Sequence, residues 1–525
     1  MLTKCLIKAG VYQDSVTLMQ TAQELTRLPG VHDAAVVMAT EANKALLRSA
    51  GMLTPEVEAA TPNDLVVVVQ AETDQAADQS LGQAAARLVH KPGVTSTGGR
   101  LLPRTIRSVL RSKPQSNLAV ISVAGPYAAA EAWEALKNGL HVLLFSDNVA
   151  LADEIALKRY AAERGLWMMG PGCGTAILNG VALGLANALP RGPVGIIAAA
   201  GTGLQEVSTL LAREGVGVSQ GLGTGGRDLS DAVGGIMMLQ GLQALQDDPP
   251  SQVLLLLSKR PSAAIAQRVL AQVRQSSKPT VICFLGSDPG AIASPGVLPA
   301  RTLQEAAYLA AATVQGRSVA SVTERLADEG RTLLAQAVEL RKRLQPQQKY
   351  LRGLFSGGTL AAEALVIWED IPGDVRSNVA LRPELKLKDT SRCAGHCALD
   401  LGEEEFTIGR PHPMIDNDLR IRRLQQEGAD PEVAVLVLDV VLGYGAHPDP
   451  ASELGPAIER ARQRASQEGR ELLVIASVTG TDGDPQGYTR QVQRLREAGA
   501  IVSVNNATAA RLAGFICAGQ VKREG

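Results

Sequence analysis

The chain has 525 residues, too many for one hydrophobic core, and at roughly 100–200 residues per domain it divides into three or four. Its 52 Lys and Arg balance 53 Asp and Glu for a formal charge of -1, which removes the bulk electrostatic case for nucleic acid or an anionic membrane and leaves any anion to be held locally. Aromatic residues are 3%, too few for stacking on single-stranded bases, whereas the abundance of Ala, Val, Leu and Gly suits parallel sheets covered by helices. The six cysteines (Cys5, Cys173, Cys283, Cys393, Cys397, Cys517) include no CxxC pair, so no metal site or disulfide framework is expected. The start, "MLTKCLIKAGVYQDS", lacks the cationic and apolar regions of a secretory signal, and no apolar run reaches the roughly 18 residues of a membrane span. The expected location is the cytoplasm.

Taken in chain order, residues 1 to 92 alternate short strands and helices: "LTKCLIKA", "DSVTLMQTAQELTRL", "VHDAAVVMA", "DLVVVVQ" and "DQSLGQAAARLV". This order predicts a small ferredoxin-like α+β module. The stretch "HKPGVTSTGGRLLPRT" reads as a linker. From Asn117, "NLAVISV", "AAAEAWEALKNG", "LHVLLFS", "ADEIALKRYAAERG" and "LWMMG" form a β-α-β-α-β series, which predicts a Rossmann-like parallel sheet without the fingerprint glycines. A second series begins at Pro193 with "PVGIIAAAG" and ends with "PTVICFLG". The helix in "SVTERLADEGRTLLAQAVELRKRLQPQQKY", stopped before Pro346, reads as a connector. Beyond it the second series repeats. "LFSGGTLAAE" places Thr359 and Glu363 as "AAGTGLQE" places Thr202 and Glu206, "ADPEVAVLVLDV" parallels "DDPPSQVLLLLS", and "RELLVIASVTGTD" parallels "KPTVICFLGSD". Three matched segments in one order indicate duplication of a doubly wound domain.

Four glycine turns at the carboxyl ends of strands could hold an anion: Gly172, Cys173, Gly174 and Thr175; Gly201, Thr202 and Gly203; Gly225 and Gly226 with Arg227 and Asp228; and Ser356, Gly357, Gly358 and Thr359. A helix's first turn carries unpaired N–H groups and a partial positive charge, and glycine lets an anion approach the backbone. Each turn also has a purely steric reading, but ligands of open α/β sheets bind at these strand ends. Neither GxxxxGK[ST] nor GxGxxG is in place, which argues against a P-loop nucleotide site.

Glu206 and Glu363 are read as first-turn residues, serving either helix-start stabilisation or chemistry. The polar stretch 391–423 holds His396, His412, Arg410, Asp416, Asp418 and Arg420; His412, in "PHPMID", is the candidate proton carrier or ligand contact, with a structural role as its alternative. The "EEE" at 403–405 reads as a solvated charge run and His447 as a loop residue. Cys173 is either a thiol activated at a helix N-terminus or a small buried residue.

"MMGPGCGTAI", "GPVGIIAAAGTGLQE", "GLGTGGRDLSDAVGG" and "LQDDPPSQVLLLLS" together resemble the α subunit of succinyl-CoA synthetase and related NDP-forming acyl-CoA ligases. "CALDLGEEE", "DPEVAVLVLDVVLGYG" and "LREAGAIVSVNNATAARLA" resemble the C-terminal domain of the β subunit. Over its whole length, with "DSVTLM", "MATEANK", "LLFSDNV", "LQPQQKY" and "PHPMID", the chain is similar to the FdrA family, including its YahF branch. The resemblance implies an α/β architecture: a ferredoxin-like module (1–92), a Rossmann-like domain of CoA-binding type (113–190), a flavodoxin-like α-subunit-type ligase domain (191–318), a connector (319–350) and a flavodoxin-like β-subunit-type ligase domain (351–525). It also implies that the turns at 172–175 and near Gly201 face that at 357–359 around a phosphate or acyl-phosphate-like oxyanion.

Three ligase features have no counterpart. After "CFLGSDPG" the sequence reads "AIASPGVLPAR", with no phosphorylated histidine; the N-terminal CoA-clasping glycine loop is missing; and no ATP-grasp domain precedes the β-like half. The family resemblance therefore implies carbamoyl or acyl transfer to or from phosphate, as a subunit of an oxamate-carbamoyltransferase-type enzyme of allantoin and purine nitrogen catabolism. Its expected substrates are phosphate or carbamoyl phosphate, and Arg227 and His412 are the expected contacts. Companion polypeptides and an oligomeric assembly are expected. The alternatives are an acyl-CoA synthetase component that uses CoA and a partner's nucleotide domain, with His412 or His396 in place of the missing phosphohistidine, and a non-catalytic anion-binding scaffold.

Overall fold

The computed structural model describes residues 2–11, 15–26, 28–89, 105–407 and 411–518. Arg410 and the linker-like stretch up to residue 104 lie outside the described residues. The chain forms two compact units, one of residues 1–114 with 404–412 and the other of 115–403 with 413–525. Among the described residues no helix is long and apolar enough to cross a membrane.

The first unit runs β1 (Leu2–Lys8), α1 (Ser15–Thr26), β2 (Val31–Met38), α2 (Glu41–Ser49), α3 (Pro55–Ala59), β3 (Leu65–Ala71), α4 (Asp74–Val89) and α5 (Ile106–Ser112). Its sheet has the order β1-β3-β2, antiparallel throughout. The valine run of β3 is buried on both faces: Val67 and Val69 join Leu18, Leu25, Ala77 and Ala84, while Val66 and Val68 join Leu47, Met52 and Val57. This alternation explains why the central strand carries no polar face.

The second unit opens with β4 (Leu118–Ile121), α6 (Gly125–Lys137), β5 (His141–Leu144), α7 (Leu151–Ala162) and β6 (Met168–Met169), a three-stranded parallel sheet. The hairpin β7 (Thr175–Leu178) and β8 (Val181–Gly184) follows. It turns on Asn179 and Gly180, both at positive φ (52° and 81°), the Asn-Gly pair favoured in tight hairpins. Although these residues fall within 113–190, β7 pairs with β10 of the next sheet. The turn 172–175 therefore leads into a strand, and no helix starts there as the sequence had suggested.

The next segment comprises β9 (Arg191–Ala199), α8 (Gly201–Arg213), β10 (Val218–Gly223), α9 (Ile236–Asp247), β11 (Val253–Lys259), α10 (Ala263–Val273), β12 (Thr280–Leu285), α11 (Pro289–Ile292), β13 (Val297–Pro299) and α12 (Leu303–Val314). The connector is α13 (Val319–Arg341). The last segment comprises β14 (Tyr350–Phe355), α14 (Gly358–Trp368), β15 (Arg376–Ser377), β16 (Cys397–Asp400), α15 (Glu404–Thr407, in the first unit), α16 (Asp418–Gly428), β17 (Val433–Val441), α17 (Pro450–Gln467), β18 (Leu473–Thr479), α18 (Tyr488–Glu497), β19 (Ile501–Ser503) and α19 (Asn506–Cys517). The parallel strands run β10-β9-β11-β12-β13 in one copy and β16-β14-β17-β18-β19 in the other. Both are the flavodoxin-like order 2-1-3-4-5. Contrary to the expectation of no disulfide, Cys393 and Cys397 are bonded to each other.

The copies meet through a reciprocal exchange of carboxylates. Glu206 and Glu363 lie in the second turns of α8 and α14, not the first, and both are buried. Glu363 accepts the Leu303 and Gln304 N–H groups at the start of α12 (2.7 and 3.3 Å). Glu206 accepts the Asn506 N–H at the start of α19 (3.0 Å) and the Thr479 hydroxyl. Each copy thus caps the last helix of the other, adding to the caps that Thr302 and Asn505 supply locally. Asn506 Nδ2 also donates to Glu363 (2.8 Å), linking the two carboxylates. A single apolar core runs through this junction, including Leu204, Ala306, Ala310, Leu360, Ala364 and Ala510.

Burial, reinforced by the Glu206 charge, pushes the Glu363 carboxyl up to about 7. The native state then binds more protons than the unfolded chain between the ordinary glutamate range and pH 7, so this group's contribution to stability is present at low pH and is lost as pH rises through about 7. Glu363→Gln removes that proton uptake and should flatten the fall in unfolding free energy across this window. An unchanged slope in denaturant titrations at several pH values would show that Glu363 titrates normally.

Candidate anion site at the helix junction

Three turns of the first copy interlock because glycine permits close contact. A Cβ at Gly223 would overlap Cys173 Sγ and lie 2.6 Å from the Thr175 carbonyl, and one at Gly225 would lie 2.6 Å from the Pro171 carbonyl. The Thr224 N–H donates to Ala198 O (2.9 Å). The turns 170–175, 199–203 and 223–225 therefore form one block beside the start of α8. Gly172, at φ 67°, packs against the Asp147 carboxylate, and Gly174 against Leu185.

At the head of this block α8 starts with no side-chain cap: Ala200 is its N-cap, and Gly201 and Thr202 are half-buried. The Thr175 hydroxyl, on a residue 1% exposed, has no hydrogen-bond partner. It lies 4.0 Å from the position a Cβ of Gly201 would take. Unpaired N–H groups, a positive helix end and an orphan buried hydroxyl make a donor set for an oxyanion.

The turn of the second copy meets this head directly. The Thr359 N–H donates to Thr202 Oγ1 (3.3 Å), and a Cβ on Gly203 would lie 2.8 Å from Thr359 Cγ2. The facing arrangement implied by the family resemblance is present between the turns at 201–203 and 357–359, but its two sides are unequal. Asp439, fully buried, accepts the Ser356 and Gly357 N–H groups (2.7 Å each) and the Ser356 hydroxyl (3.0 Å), and it pairs with buried Arg420. Ser356 and Gly357 already hold a carboxylate, which corrects their assignment as phosphate donors.

Other candidates have different work. Asp228 accepts Lys158 Nζ (2.8 Å) and the Met237 and Met238 N–H groups (3.3 and 2.8 Å), capping α9 from a buried ion pair. Arg227 ties to Glu154 and to the Val149 carbonyl (2.8 Å each), and exposed Gly226 has open space around its Cα. Neither Arg227 nor Asp228 joins the α8 head. The Cys173 thiol is pushed up to about 12 by burial and precedes a strand, so it is not an activated nucleophile. His396 accepts the Leu351 N–H (3.2 Å) at the opposite end of β14 from α14. Burial, with the Arg352 charge, pushes it down to about 4. His412 belongs to the first unit and is not among the residues the second unit assembles. Asp416 accepts the Asp418 N–H, Asp418 pairs with Arg422, and His447 pairs with Glu453.

Two residues here were not singled out from the sequence. Lys259 ends β11, beside Ser258, which pairs with Ala199 at the end of β9. Asp400 ends β16 beside Phe355 of β14. Both stand at carboxyl ends of parallel strands, the position that marks ligand residues in such sheets, and that rule would have found them.

With this geometry in place, residues 1–100 match the family described as AllF, heavy metal-associated domain, and residues 354–516 the family described as CoA-ligase. Among the described residues no group of three or more His, Cys, Asp or Glu could hold a metal ion. The uncharacterized protein YahF of Escherichia coli is 46% identical over 521 residues, covering 99% of this chain and all of that protein. The chain belongs to the FdrA/YahF family. Beyond the FdrA/YahF family, the succinate–CoA ligase [ADP-forming] α subunit of Methanothermobacter thermautotrophicus is 28% identical over 220 residues, 40% of this chain and 73% of that protein. Among solved structures, ATP citrate lyase from Methanothrix soehngenii, in complex with citrate and coenzyme A, has 13% identity and a TM-score of 0.34, covering 80% of this chain and 86% of that one.

Removing the Asp439 carboxylate leaves Arg420 buried without its partner, a change that costs about 3–5 kcal/mol. Asp439→Ala should lower unfolding stability by that order, whereas Thr175→Val, which deletes a hydroxyl with no partner, should be neutral or stabilising. Equal losses in denaturant unfolding would assign the Thr175 hydroxyl a structural bond.

Proposed function

We propose that this chain is the oxyanion-handling component of a ligase-type enzyme, binding a phosphate or the phosphoryl end of an acyl phosphate at the start of α8. The observation that carries this reading is the uncapped α8 head beside the orphan Thr175 hydroxyl. Oriented N–H donors in a partly desolvated cleft stabilise charge on a departing phosphate without reorganising. The CoA-ligase match and the succinate–CoA ligase relative support the ligase class. The CoA-ligase family and the succinate–CoA ligase relative are named for CoA ligation, so the acyl reading is preferred over carbamoyl phosphate chemistry. A companion polypeptide carrying the nucleotide is part of the proposal.

CoA itself fits poorly at the first strand-to-helix turn of the Rossmann-like sheet. A Cβ at Gly125 would overlap the Asp147 carbonyl and lie 2.6 Å from that of Asn148, which places acceptors where a pyrophosphate needs donors. Pro126, in the first turn of α6, removes a further N–H. No step is assigned to CoA. Nor does half-buried His396 stand in for a phosphohistidine at this site, since it lies at the other end of β14.

Calorimetric titration with inorganic phosphate tests the reading. Thr175→Val and Thr202→Val should each weaken binding by about fivefold or more, in line with the loss of a hydrogen bond to a charged group, while Ser356→Ala should leave it unchanged. Loss confined to Ser356→Ala, or no phosphate binding at all, would contradict it.

A further inference from the structure

Across the start of α14, on the second copy's side of the junction, the Lys259 ammonium and the Asp400 Oδ2 face the same glycine. A Cβ at Gly358 would overlap Asp400 Oδ2 and lie 3.3 Å from Lys259 Nζ. Asp400 is 2% exposed, and among the described residues its only side-chain hydrogen bond is Oδ1 accepting the Gly402 N–H (3.0 Å), which leaves Oδ2 open over the helix end. Lys259, 45% exposed, reaches over from the first copy; its ion pair is with Glu403 at 3.7 Å, beyond hydrogen-bond range. The gap between this ammonium and this carboxyl exists because residue 358 has no side chain.

We propose that Lys259 and Asp400 form a carboxylate subsite, in which Lys259 Nζ donates to one oxygen of a small carboxylic acid and the Asp400 carboxyl hydrogen-bonds the other. Burial pushes the Asp400 carboxyl up to about 7, against the pull of Lys259 and with the repulsion of Glu403 and Asp439. A carboxylic acid held neutral in this way is a hydrogen-bond donor to an incoming anion. The α14 helix end adds favourable potential. The pairing of this subsite with a phosphoryl group at α8 rests on the oxyanion reading above. In that pairing the two anions are brought side by side, the geometry needed to join or separate an acyl group and a phosphate. Carboxylate binding itself does not depend on that reading.

Titration of the full-length protein with acetate and propionate, read by ligand-observed NMR, tests the subsite separately from phosphate. Lys259→Gln should weaken carboxylate binding about tenfold or more while leaving phosphate binding within about twofold. Thr175→Val should show the opposite pattern. In the wild type, carboxylate binding should weaken as pH rises through about 7; in Asp400→Asn, whose amide remains a donor, it should persist and lose that pH dependence. Carboxylate binding unchanged in Lys259→Gln, or absent from the wild type, overturns the subsite whatever phosphate does. Carboxylate binding without phosphate binding keeps the subsite and removes the oxyanion reading.

Discussion

The junction of the two copies depends on the exchange of Glu206 and Glu363. A buried carboxylate is costly unless donors surround it. Here each is placed where the opposite copy offers backbone N–H groups with no partner of their own, at the first residues of α12 and α19. The exchange satisfies both the acid and the helix end, and it does so only in one relative placement of the copies. That placement brings the heads of α8 and α14 into contact through Thr202 and Thr359.

Duplication then allows the two heads to diverge. In the second copy the crevice where strand order reverses, between β14 and β17, is closed by Asp439 and its Arg420 partner. In the first copy the equivalent crevice, between β9 and β11, ends in Lys259, and the α8 head keeps its donors. One head has become an internal ion pair that fixes the scaffold, and the other retains the chemistry to hold a guest.

Much of this was legible in the sequence. The paired Thr and Glu of "GTGLQE" and "GTLAAE", with the matched strands that follow, predicted the duplication, and the family resemblance implied the facing turns. What escaped was direction. "AILNGVALG" carries an Asn-Gly hairpin signal, yet the turn 172–175 was read as opening a helix. Glu206 and Glu363 were read as first-turn residues, although their positions place them a turn deeper, where they cross to the other copy. Asp439 could not be distinguished by pattern from the apolar residues of "VAVLVLDV", because only the fold shows that it closes the Ser356–Gly357 turn. Cys393 and Cys397, four apart, come together because one is fixed in β16 and the other lies in the loop before it.

The central claim is that phosphate binding belongs to the α8 head and not to the Ser356–Gly357 turn. A crystal of the full-length protein soaked in phosphate tests it most directly. Density within hydrogen-bond reach of the Gly201 and Thr202 N–H groups and the Thr175 hydroxyl, with Asp439 still bonded to Ser356 and Gly357, is the expected result. Phosphate that displaces Asp439 from the α14 head, or an α8 head that stays empty at saturating phosphate, would contradict it.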